Sequence, residues 1–510
     1  MLPIYYHVTG KGEWVDYNET KQGPVGPDHP FFWTNFRRTA NHECLDCHAT
    51  GLSVSYDPTS RTFATAFADP GVACECCHGP GGKHAASLDP KDVVPPGKVA
   101  PELGLAICAQ CHGARLPHFP VLDAAHRYRP GQPYADAYDP IAVTDGSSFL
   151  SDFYADGRPR VGSDEYLALL QSRCYMKGGA TCLTCHTPPH AEHQGPDELR
   201  LFPAAASIDP RDAACRGCHA DLFLRLDAHT HHRAREARTC VACHMPPVVS
   251  GVLDQLADHA IDVPAPGTTI RHGVPNACNA CHEQATPQEM EAALYRLWPD
   301  AARRTERRRR LADAFDVATA ATSESSLEAV LADGSEAETL RAAAASLLAS
   351  RIKERAREPL LAALSDPSPL VRSAAASGLS WAGPGVAPSL RPLLADPSTA
   401  VELAAAATLI ASDDPEAEAL YRRLAGAPAT SGLVDPHIQL GLLDARRQRL
   451  AEAETELRTA IDLQFYNTYA LVKLADVYMV TGRRQLAEAT ANEALRFDPQ
   501  DREARKRLGR

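Results

Sequence analysis

The chain has 510 residues, which is too long for a single ordinary hydrophobic core, so we expect two or three domains. Its formal net charge of −12 argues against a nucleic-acid partner, because a phosphate-binding surface requires a basic domain. The sequence also contains no apolar run long enough to form a transmembrane segment.

The first 38 residues differ from those that follow. The stretches "YYHV" and "EWVDY" are typical of short strands, so we expect residues 1–38 to contain a strand pair. The N-terminus has no basic region followed by a continuous apolar stretch and therefore does not resemble a signal peptide.

Cysteine and histidine are concentrated in the first part of the chain. All 16 cysteines precede residue 282, and of the 21 histidines only His437 lies beyond it. This change of composition predicts a domain boundary near residue 285 and a first domain covering residues 1–290.

The pattern Cys-x-x-Cys-His occurs seven times. In this pattern two thiols form thioether bonds with the vinyl groups of one haem, and the histidine becomes the proximal ligand of its iron. The motifs are Cys44/Cys47/His48, Cys74/Cys77/His78, Cys108/Cys111/His112, Cys182/Cys185/His186, Cys215/Cys218/His219, Cys240/Cys243/His244 and Cys278/Cys281/His282.

Three alternatives explain the motifs less well. Zinc sites need four ligands from paired motifs, and seven motifs cannot pair. A thioredoxin-like thiol pair would occur once, beside a βαβ pattern. A disulfide framework would not repeat one spacing with a histidine behind it. The sequence therefore predicts seven covalently attached c-type haems.

Covalent haem attachment takes place outside the cytoplasm. We therefore expect an exported protein, periplasmic or extracellular, whose natural N-terminus lies upstream of Met1.

Electron-transfer haems also need a sixth iron ligand, which is most often a neutral imidazole. Thirteen histidines within residues 1–282 lie outside the motifs. The glycine turn "GPGG" and the stretch "CHTPP" each let the chain fold back towards a haem. In the "HTHH" cluster (His229, His231 and His232), at least one ring is expected not to reach iron. The distal candidates are His84, His118, His190, His231, His232, His259 and His272.

Three further residues of this region stay outside the haem assignment. Met245 directly follows His244 and cannot reach the opposite face of the same haem, so we interpret it as a packing residue. Cys76 and Cys174 belong to no motif. They are either separate buried thiols, which we favour, or a disulfide.

Seven haems within about 285 residues leave little polypeptide for a conventional core. We expect short helices that carry the motifs, joined by loops such as "VVPPGKVAPELG", with the porphyrins filling most of the interior. The predicted fold class is mostly α, a multihaem domain with little regular structure followed by an α-solenoid.

The C-terminal part begins with a basic helix at residues 301–315. Its arginine run is interpreted as a solvated face, with haem propionates as the alternative partner. The alanine-rich segment 360–379 aligns with 390–409 without a gap, and 328–348 is a looser copy. Each unit reads as helix, Asp-Pro turn, helix, and this resembles HEAT repeats, which we assign to residues 291–430.

Residues 431–510 follow a different period. Gly441, Ala453 and Ala460 recur at one constant spacing as Ala475, Ala487 and Ala494, a pattern similar to tetratricopeptide repeats. A plain helical bundle is the alternative. Because solenoids offer concave surfaces, the repeats predict docking of a redox partner protein, or else a stabilising cover on the haem domain.

Four phrases within residues 1 to about 290 carry a family resemblance: "CHGPGGKH", "RCYMKGGATCLTCHTPPH", "HTHHRAREARTCVACHMPP" and "GVPNACNACH". They resemble bacterial multihaem c-type cytochromes of the superfamily that includes pentahaem nitrite reductase and hydroxylamine oxidoreductase. The resemblance implies a stack of closely spaced haems with His84, His190 and the "HTHH" cluster as distal ligands. Such proteins usually begin with an earlier motif, which leaves room for an eighth haem upstream.

Two features of those enzymes bear on catalysis. The nitrite reductases replace one proximal histidine by lysine, whereas all seven motifs here keep histidine. The hydroxylamine oxidoreductases cross-link a tyrosine to the catalytic haem. Tyr175 lies near Cys182, although ordinary haem packing explains it better.

Electron transfer along a chain of haems is the favoured function. The alternative is an oxidoreductase that acts on a small nitrogen or sulfur compound such as nitrite, hydroxylamine or tetrathionate, which requires a haem with an open distal face. A third hypothesis makes the repeats the main functional element, as a scaffold. No catalytic residue is assigned.

Overall fold

Short helices carry the motifs and longer helices form the C-terminal part, so the fold is mostly α-helical, as the sequence predicts. The computed structural model describes residues 4–7, 12–16, 25–29, 32–36, 39–57, 60, 62–113, 115–117, 127–140, 152–162, 164–186, 212–234, 236–251, 255–316, 324–410, 414–427 and 430–509. Within these residues every sheet has two strands. No described helix has the length and apolarity needed to cross a bilayer.

The chain divides into two compact units. The first unit consists of Met1–Pro96, Arg115–Asp139 and Gly383–Arg510, and the second of Gly97–Ala114 and Pro140–Ala382. These units group residues by contact, whereas the boundaries near residues 290 and 430 follow composition and repeats and stay predictions.

The first unit contains two motifs and the C-terminal helices. Its helices are Ala40–Glu43, Leu45–His48, Cys74–His78, Gly82–Ser87, Ala387–Leu390, Thr399–Ile410, Pro415–Ala425, Val434–Arg446, Leu450–Leu463, Thr468–Val480, Arg484–Phe497 and Arg502–Arg507. Strands Ile4–His7 and Glu13–Asp16 pair antiparallel, as do Ser53–Asp57 and Thr62–Ala66. Arg115–Pro117 pairs with Tyr138–Pro140.

The second unit contains the other five motifs. Its helices are Pro101–His112, Glu165–Gln171, Arg173–Gly178, Cys182–Cys185, Ala213–Phe223, Leu226–Thr230, Cys240–His244, Pro266–His272, Ala277–Cys281, Pro287–Leu297, Ala301–Phe315, Glu324–Ala332, Glu338–Arg351, Arg357–Ala363 and Pro369–Gly378. The strands Pro247–Ser250 and Gln255–Ala257 pair antiparallel.

The N-cap residue before each helix explains why several of these helices begin at or beside the first cysteine of a motif. Thr239 and Asn276 are N-caps whose side chains accept backbone N–H groups of the following turn. Thr181 forms a capping box with Thr184. In one helical turn, residues three positions apart share a face, so both motif sulfurs project to the same side.

The Asp-Pro turns of the alanine-rich units recur as the sequence predicts. Asp366 accepts the N–H of Ser368 at 2.9 Å, and Asp396 accepts that of Ser398 at 2.8 Å. Each turn leads into the second helix of its unit, Pro369–Gly378 or Thr399–Ile410. The first helix of the later unit is broken into the α-helix Ala387–Leu390 and a 3-10 segment, because Pro388 and Pro392 lack the N–H that a continuous helix needs.

The last helices form two matching pairs. Thr468–Val480 follows Val434–Arg446 at the same offset at which Arg484–Phe497 follows Leu450–Leu463. Small residues allow the helices to approach: Ala453, Ala475, Ala487 and Ala491 are buried against Leu457 and Tyr478. A Cβ at Gly441 would lie 2.7 Å from Leu457 Cγ, so this crossing requires glycine.

One prediction about the arginine run requires correction. In the Ala301–Phe315 helix, hereafter the arginine helix, Arg307 and Arg308 are buried with 8% and 1% exposure. Arg303 and Arg304 are exposed, and Arg309 is partly exposed. The face that carries Arg307 and Arg308 also carries the buried Leu311 and Phe315, so part of the run is an interior surface.

Candidate functional site

Three imidazole rings from outside the motifs lie opposite motif histidines in the second unit. The ring centroids of His186 and His259 are 6.3 Å apart, those of His229 and His244 are 6.2 Å apart, and those of His232 and His282 are 6.1 Å apart. Two imidazoles on opposite sides of one metal, each with a bond of about 2 Å, have centroids roughly 6 Å apart. Each pair therefore fits a single iron held from both faces.

The "HTHH" segment reaches two motifs because the chain reverses within it. His231 follows the Leu226–Thr230 helix with a left-handed φ of 56°. The turn sends His229 towards His244 and His232 towards His282. The ring of His231 itself packs edge-on against Trp298 at 4.8 Å.

Trp298 also positions His229, the residue whose ring faces His244. Its indole N–H donates to the backbone carbonyl of His229 at 2.7 Å. The residue comes from the end of the Pro287–Leu297 helix, beyond the last motif. A helix that follows the cysteine-rich segment thus holds part of the candidate iron site.

Hydrogen bonds at Nδ1 orient several of these rings. His244 donates Nδ1–H to the carbonyl of Asp262 at 3.0 Å, and His259 donates to that of Ala257 at 3.0 Å. His232 bonds the carbonyl of Thr230 in the same way. Such a bond fixes the tautomer and leaves Nε2 for a metal.

Burial favours the protonation state that a metal requires. Desolvation lowers the pKa of His186, His229 and His244, so the neutral imidazole is favoured at each position. His112 differs, because its Nδ1 lies 3.4 Å from a carboxylate oxygen of Glu165. Burial is the largest single influence on Glu165 and raises its pKa. The hydrogen bond with His112, a backbone hydrogen bond and the charges of His112 and His259 together outweigh it, so the pKa is lowered overall.

The five motifs of the second unit lie side by side in chain order. The Cys108 sulfur lies beside that of Cys182, and the Cys215 sulfur lies within 4.8 Å of that of Cys240. Between these contacts, Cys185 interacts electrostatically with Cys215. Cys243 interacts with Cys278 in the same way. Successive motifs of this unit are thus linked through interacting sulfurs.

Two motifs differ in how their cysteines enter the helix. Cys44 lies at the junction between the Ala40–Glu43 and Leu45–His48 helices, and Cys47 lies within the second of them. Cys111 occupies the last turn of the long Pro101–His112 helix. All three side chains are half-buried, and none of them forms a disulfide bond. Their assignment to thioether bonds stays a prediction.

His219 departs from the arrangement of the three paired motif histidines. It lies inside the Ala213–Phe223 helix with a non-helical φ of −116° and ψ of 37°, so the helix is kinked directly after the motif. His219 is exposed, whereas His186 and His244 are half-buried. In the part of the chain that the structure describes, no second imidazole ring stacks opposite His219.

Asp212, Cys215 and Cys240 place three potential metal ligands within 4.8 Å of one another. The two oxygens of Asp212 accept the backbone N–H groups of Cys240 and Val241 at 2.8 and 3.2 Å. Asp212 therefore caps the Cys240–His244 helix, and both cysteines belong to haem motifs. We interpret the cluster as the junction of two motifs.

In the first unit, His78 contacts the carbonyl of Val94 through Nδ1 at 2.7 Å. His84 lies in the Gly82–Ser87 helix, where its Nδ1 bonds the carbonyl of Asp89 at 2.9 Å. This bond resembles those of the paired histidines, and the assignment of His84 as a distal ligand stays a prediction.

Two distal candidates have other partners in the structure. His272 is buried and lies between two carboxylates, with Nδ1 2.6 Å from Asp316 and Nε2 2.9 Å from Asp313. Both ring nitrogens are engaged, so this histidine is not placed to bind iron. The ring of His231 packs on Trp298, and its assignment as a distal ligand stays a prediction. His118 and His190 lie outside the described residues.

The sequence distinguishes His229 only as a member of the "HTHH" cluster, whereas the structure sets it apart by its ring pair with His244. Neither spare cysteine forms a disulfide. Cys76 Sγ lies 3.0 Å from the hydroxyl of Thr50. Burial raises the pKa of the Cys174 thiol, which lies near Cys215 and Cys218.

Two family profiles match parts of the chain. Residues 32–79 are similar to the family of cytochrome c554 and c-prime, and this segment contains the first two motifs. Residues 324–411 are similar to HEAT repeats. No curated protein matches the chain. The matches indicate a c-type cytochrome segment with haem c and a helical-repeat segment of a kind that commonly binds proteins.

Proposed function

We propose that this protein is a multihaem c-type cytochrome that transfers electrons through seven covalently attached haems. The observation that carries the proposal is the set of three histidine pairs, each of which fits an iron closed on both faces. An iron with two imidazole ligands has no open position for a substrate, so it suits electron transfer rather than catalysis.

The residues of the chain have distinct tasks in this function. The motif cysteines attach each haem, and the motif and distal histidines bind its iron. Haem c supplies a one-electron Fe(III)/Fe(II) couple when bound. The polypeptide fixes the rings of His244, His259 and His232 through carbonyl hydrogen bonds, and it half-buries His186 and His244. The neighbouring motifs bring successive haems close together.

Location and partner follow from the same proposal. Covalent attachment requires export, so the protein would act in the periplasm or outside the cell. The helical repeats, HEAT-like and then tetratricopeptide-like, would dock a redox partner protein. The motif phrases support membership of the superfamily that includes nitrite reductase and hydroxylamine oxidoreductase.

Spectroscopy of the holoprotein tests this function. Mass spectrometry should show seven attached haems, and the EPR spectrum of the oxidised protein should contain only low-spin haem signals. A high-spin, five-coordinate signal together with turnover of nitrite, hydroxylamine or tetrathionate would instead establish the oxidoreductase alternative.

A further inference from the structure

The arginine helix places a cation beside the sixth motif. Arg308 is 1% exposed, and its Nε donates to a carboxylate oxygen of Asp262 at 2.6 Å. Its Nη1 and Nη2 are buried and have no hydrogen-bond partner among the described residues. Two unsatisfied donors on a buried charge are energetically costly, which points to a ligand that completes them.

Arg308 lines a cavity that also includes parts of the sixth motif. The cavity wall contains Cys243 and His244, and it also contains Asn276, which lies just before the seventh motif. Asp262 connects the two features, because its carboxylate accepts from Arg308 and its backbone carbonyl accepts from Nδ1 of His244. The unsatisfied guanidinium therefore lies next to a candidate iron ligand.

Arg158, the other arginine that lines the cavity, is already engaged. It donates to the carboxylates of Asp156 and Asp258 and to the carbonyl of Pro275. Asp156 approaches Nη1 of Arg308 only to 3.8 Å, which is beyond hydrogen-bond distance.

The neighbouring Arg307 is likewise committed to protein groups. Its nitrogens donate to Glu336, to Asp262 and to the carbonyl of Gln171. Of the three buried arginines around Asp262, Arg308 is thus the one with donors left for a ligand.

We propose that Arg308 binds a propionate carboxylate of the haem attached at Cys240 and Cys243. The proposal rests on the proposed function and extends it. A guanidinium presents a planar pair of donors that matches a carboxylate, and the propionates are the anionic groups of haem. The arginine helix, which follows the last motif, then forms part of a haem site and holds one edge of that haem in place.

Resonance Raman spectra of the holoprotein test the contact, because the propionate bending bands respond to hydrogen bonding. Arg308→Gln should shift the propionate band of one haem and lower the midpoint potential of that haem, since a nearby positive charge is lost. Arg308→Lys should retain the potential but still shift the band, because a single ammonium replaces the paired donors. The Arg308→Lys variant also provides the test if Arg308→Gln fails to fold.

Arg307→Gln is the matched control, because it removes a buried charge from the same helix and the same aspartate. It should leave the propionate bands unchanged. An unchanged band in Arg308→Gln and Arg308→Lys would overturn the proposal and assign the guanidinium to buried water.

The haem itself is identified in a His229→Asn background. That variant should convert the haem at Cys240 and Cys243 to the high-spin state, and the band shift must then belong to the high-spin species. A shift that stays with a low-spin haem would assign Arg308 to another haem, such as that at Cys278 and Cys281, and contradict the proposal. If the His229→Asn variant contained no high-spin haem, this would contradict the ligation of that iron by His229 but not the contact of Arg308 with a propionate.

Discussion

His231 and His232 are neighbours in the chain, and one backbone conformation separates their environments. The left-handed φ of His231 turns its ring onto Trp298 and directs the ring of His232 towards His282. A non-glycine residue in this conformation is strained unless its surroundings hold it, and the contact with Trp298 provides such a constraint.

This difference gives a matched pair of variants. His232→Asn should convert one haem from low to high spin, because its iron loses the distal imidazole. His231→Asn should leave the haem spectrum unchanged, since asparagine tolerates a left-handed φ and the ring binds no iron. EPR of the two oxidised variants decides the point, and a high-spin signal in His231→Asn would contradict the assignment.

The extra thiol in "CECCH" gives a second prediction at this scale. Cys76 contacts Thr50, and serine can replace that contact, whereas Cys77 is assigned to a thioether bond. Cys76→Ser should therefore keep all haems attached, and Cys77→Ser should lose one thioether bond. Mass spectrometry and the pyridine haemochrome spectrum distinguish the two. Loss of a haem linkage in Cys76→Ser would show that the thioether assignment is reversed.

At the scale of helices, a half-buried charge cluster links the Pro415–Ala425 helix to the turn after Val434–Arg446. Glu418 accepts hydrogen bonds from three arginine side chains. These are Arg422, Arg447 and Arg449. Burial raises the pKa of Glu418, but the arginine hydrogen bonds outweigh it and lower the pKa from 4.5 to about 2.

The lowered pKa predicts an acid-sensitive contribution to stability. Because the folded-state pKa is below the unfolded one, the contribution is fully present above about pH 4.5 and is lost as the pH falls towards 2. The difference in unfolding free energy between wild type and Glu418→Gln should therefore shrink over that range. Urea unfolding at several pH values measures it.

Glu416→Gln is the control on the same helix, because the Glu416 side chain is 75% exposed. Its effect should be small at every pH. If the difference in unfolding free energy between wild type and Glu418→Gln did not depend on pH, packing rather than the charge of Glu418 would stabilise the cluster.

At the scale of the molecule, the first unit joins the beginning and the end of the chain. Phe36 packs against Phe465, Tyr466 and Phe497, with centroid distances of 5.5, 5.1 and 5.0 Å. Aromatic contacts of this kind contribute packing and edge-to-face attraction. The segment before the first motif is therefore stabilised by the last repeat helices.

Removing one ring of this cluster should destabilise both segments together. Phe497 is 4% exposed, so Phe497→Ala should cost about 3–5 kcal/mol of unfolding free energy. Hydrogen exchange should show faster exchange around residues 32–36 and in the Arg484–Phe497 helix.

Leu486→Ala, on the same helix with a side chain 46% exposed, is the control and should change stability by about 0.5 kcal/mol or less. If residues 32–36 kept their protection in Phe497→Ala, the two segments would be shown to fold independently.

Local chemistry made part of this protein predictable. The motifs place two sulfurs and an imidazole within five consecutive positions, so attachment and proximal ligation depend on one helical turn. The Asp-Pro turns and the constant spacing of small residues after Leu433 are equally local and predict the repeated helices. The N-terminal strand pair follows from the same kind of short pattern.

What the sequence by itself determined is thus the set of motifs and the helical class of the fold. The tertiary structure decided which histidine of the "HTHH" cluster faces which motif. It also decided that His272 contacts two aspartates and that Arg308 is buried. These outcomes depend on contacts between segments far apart in the chain, such as His186 with His259. Residue type and spacing do not specify such contacts, because only the packed chain fixes which side chains meet.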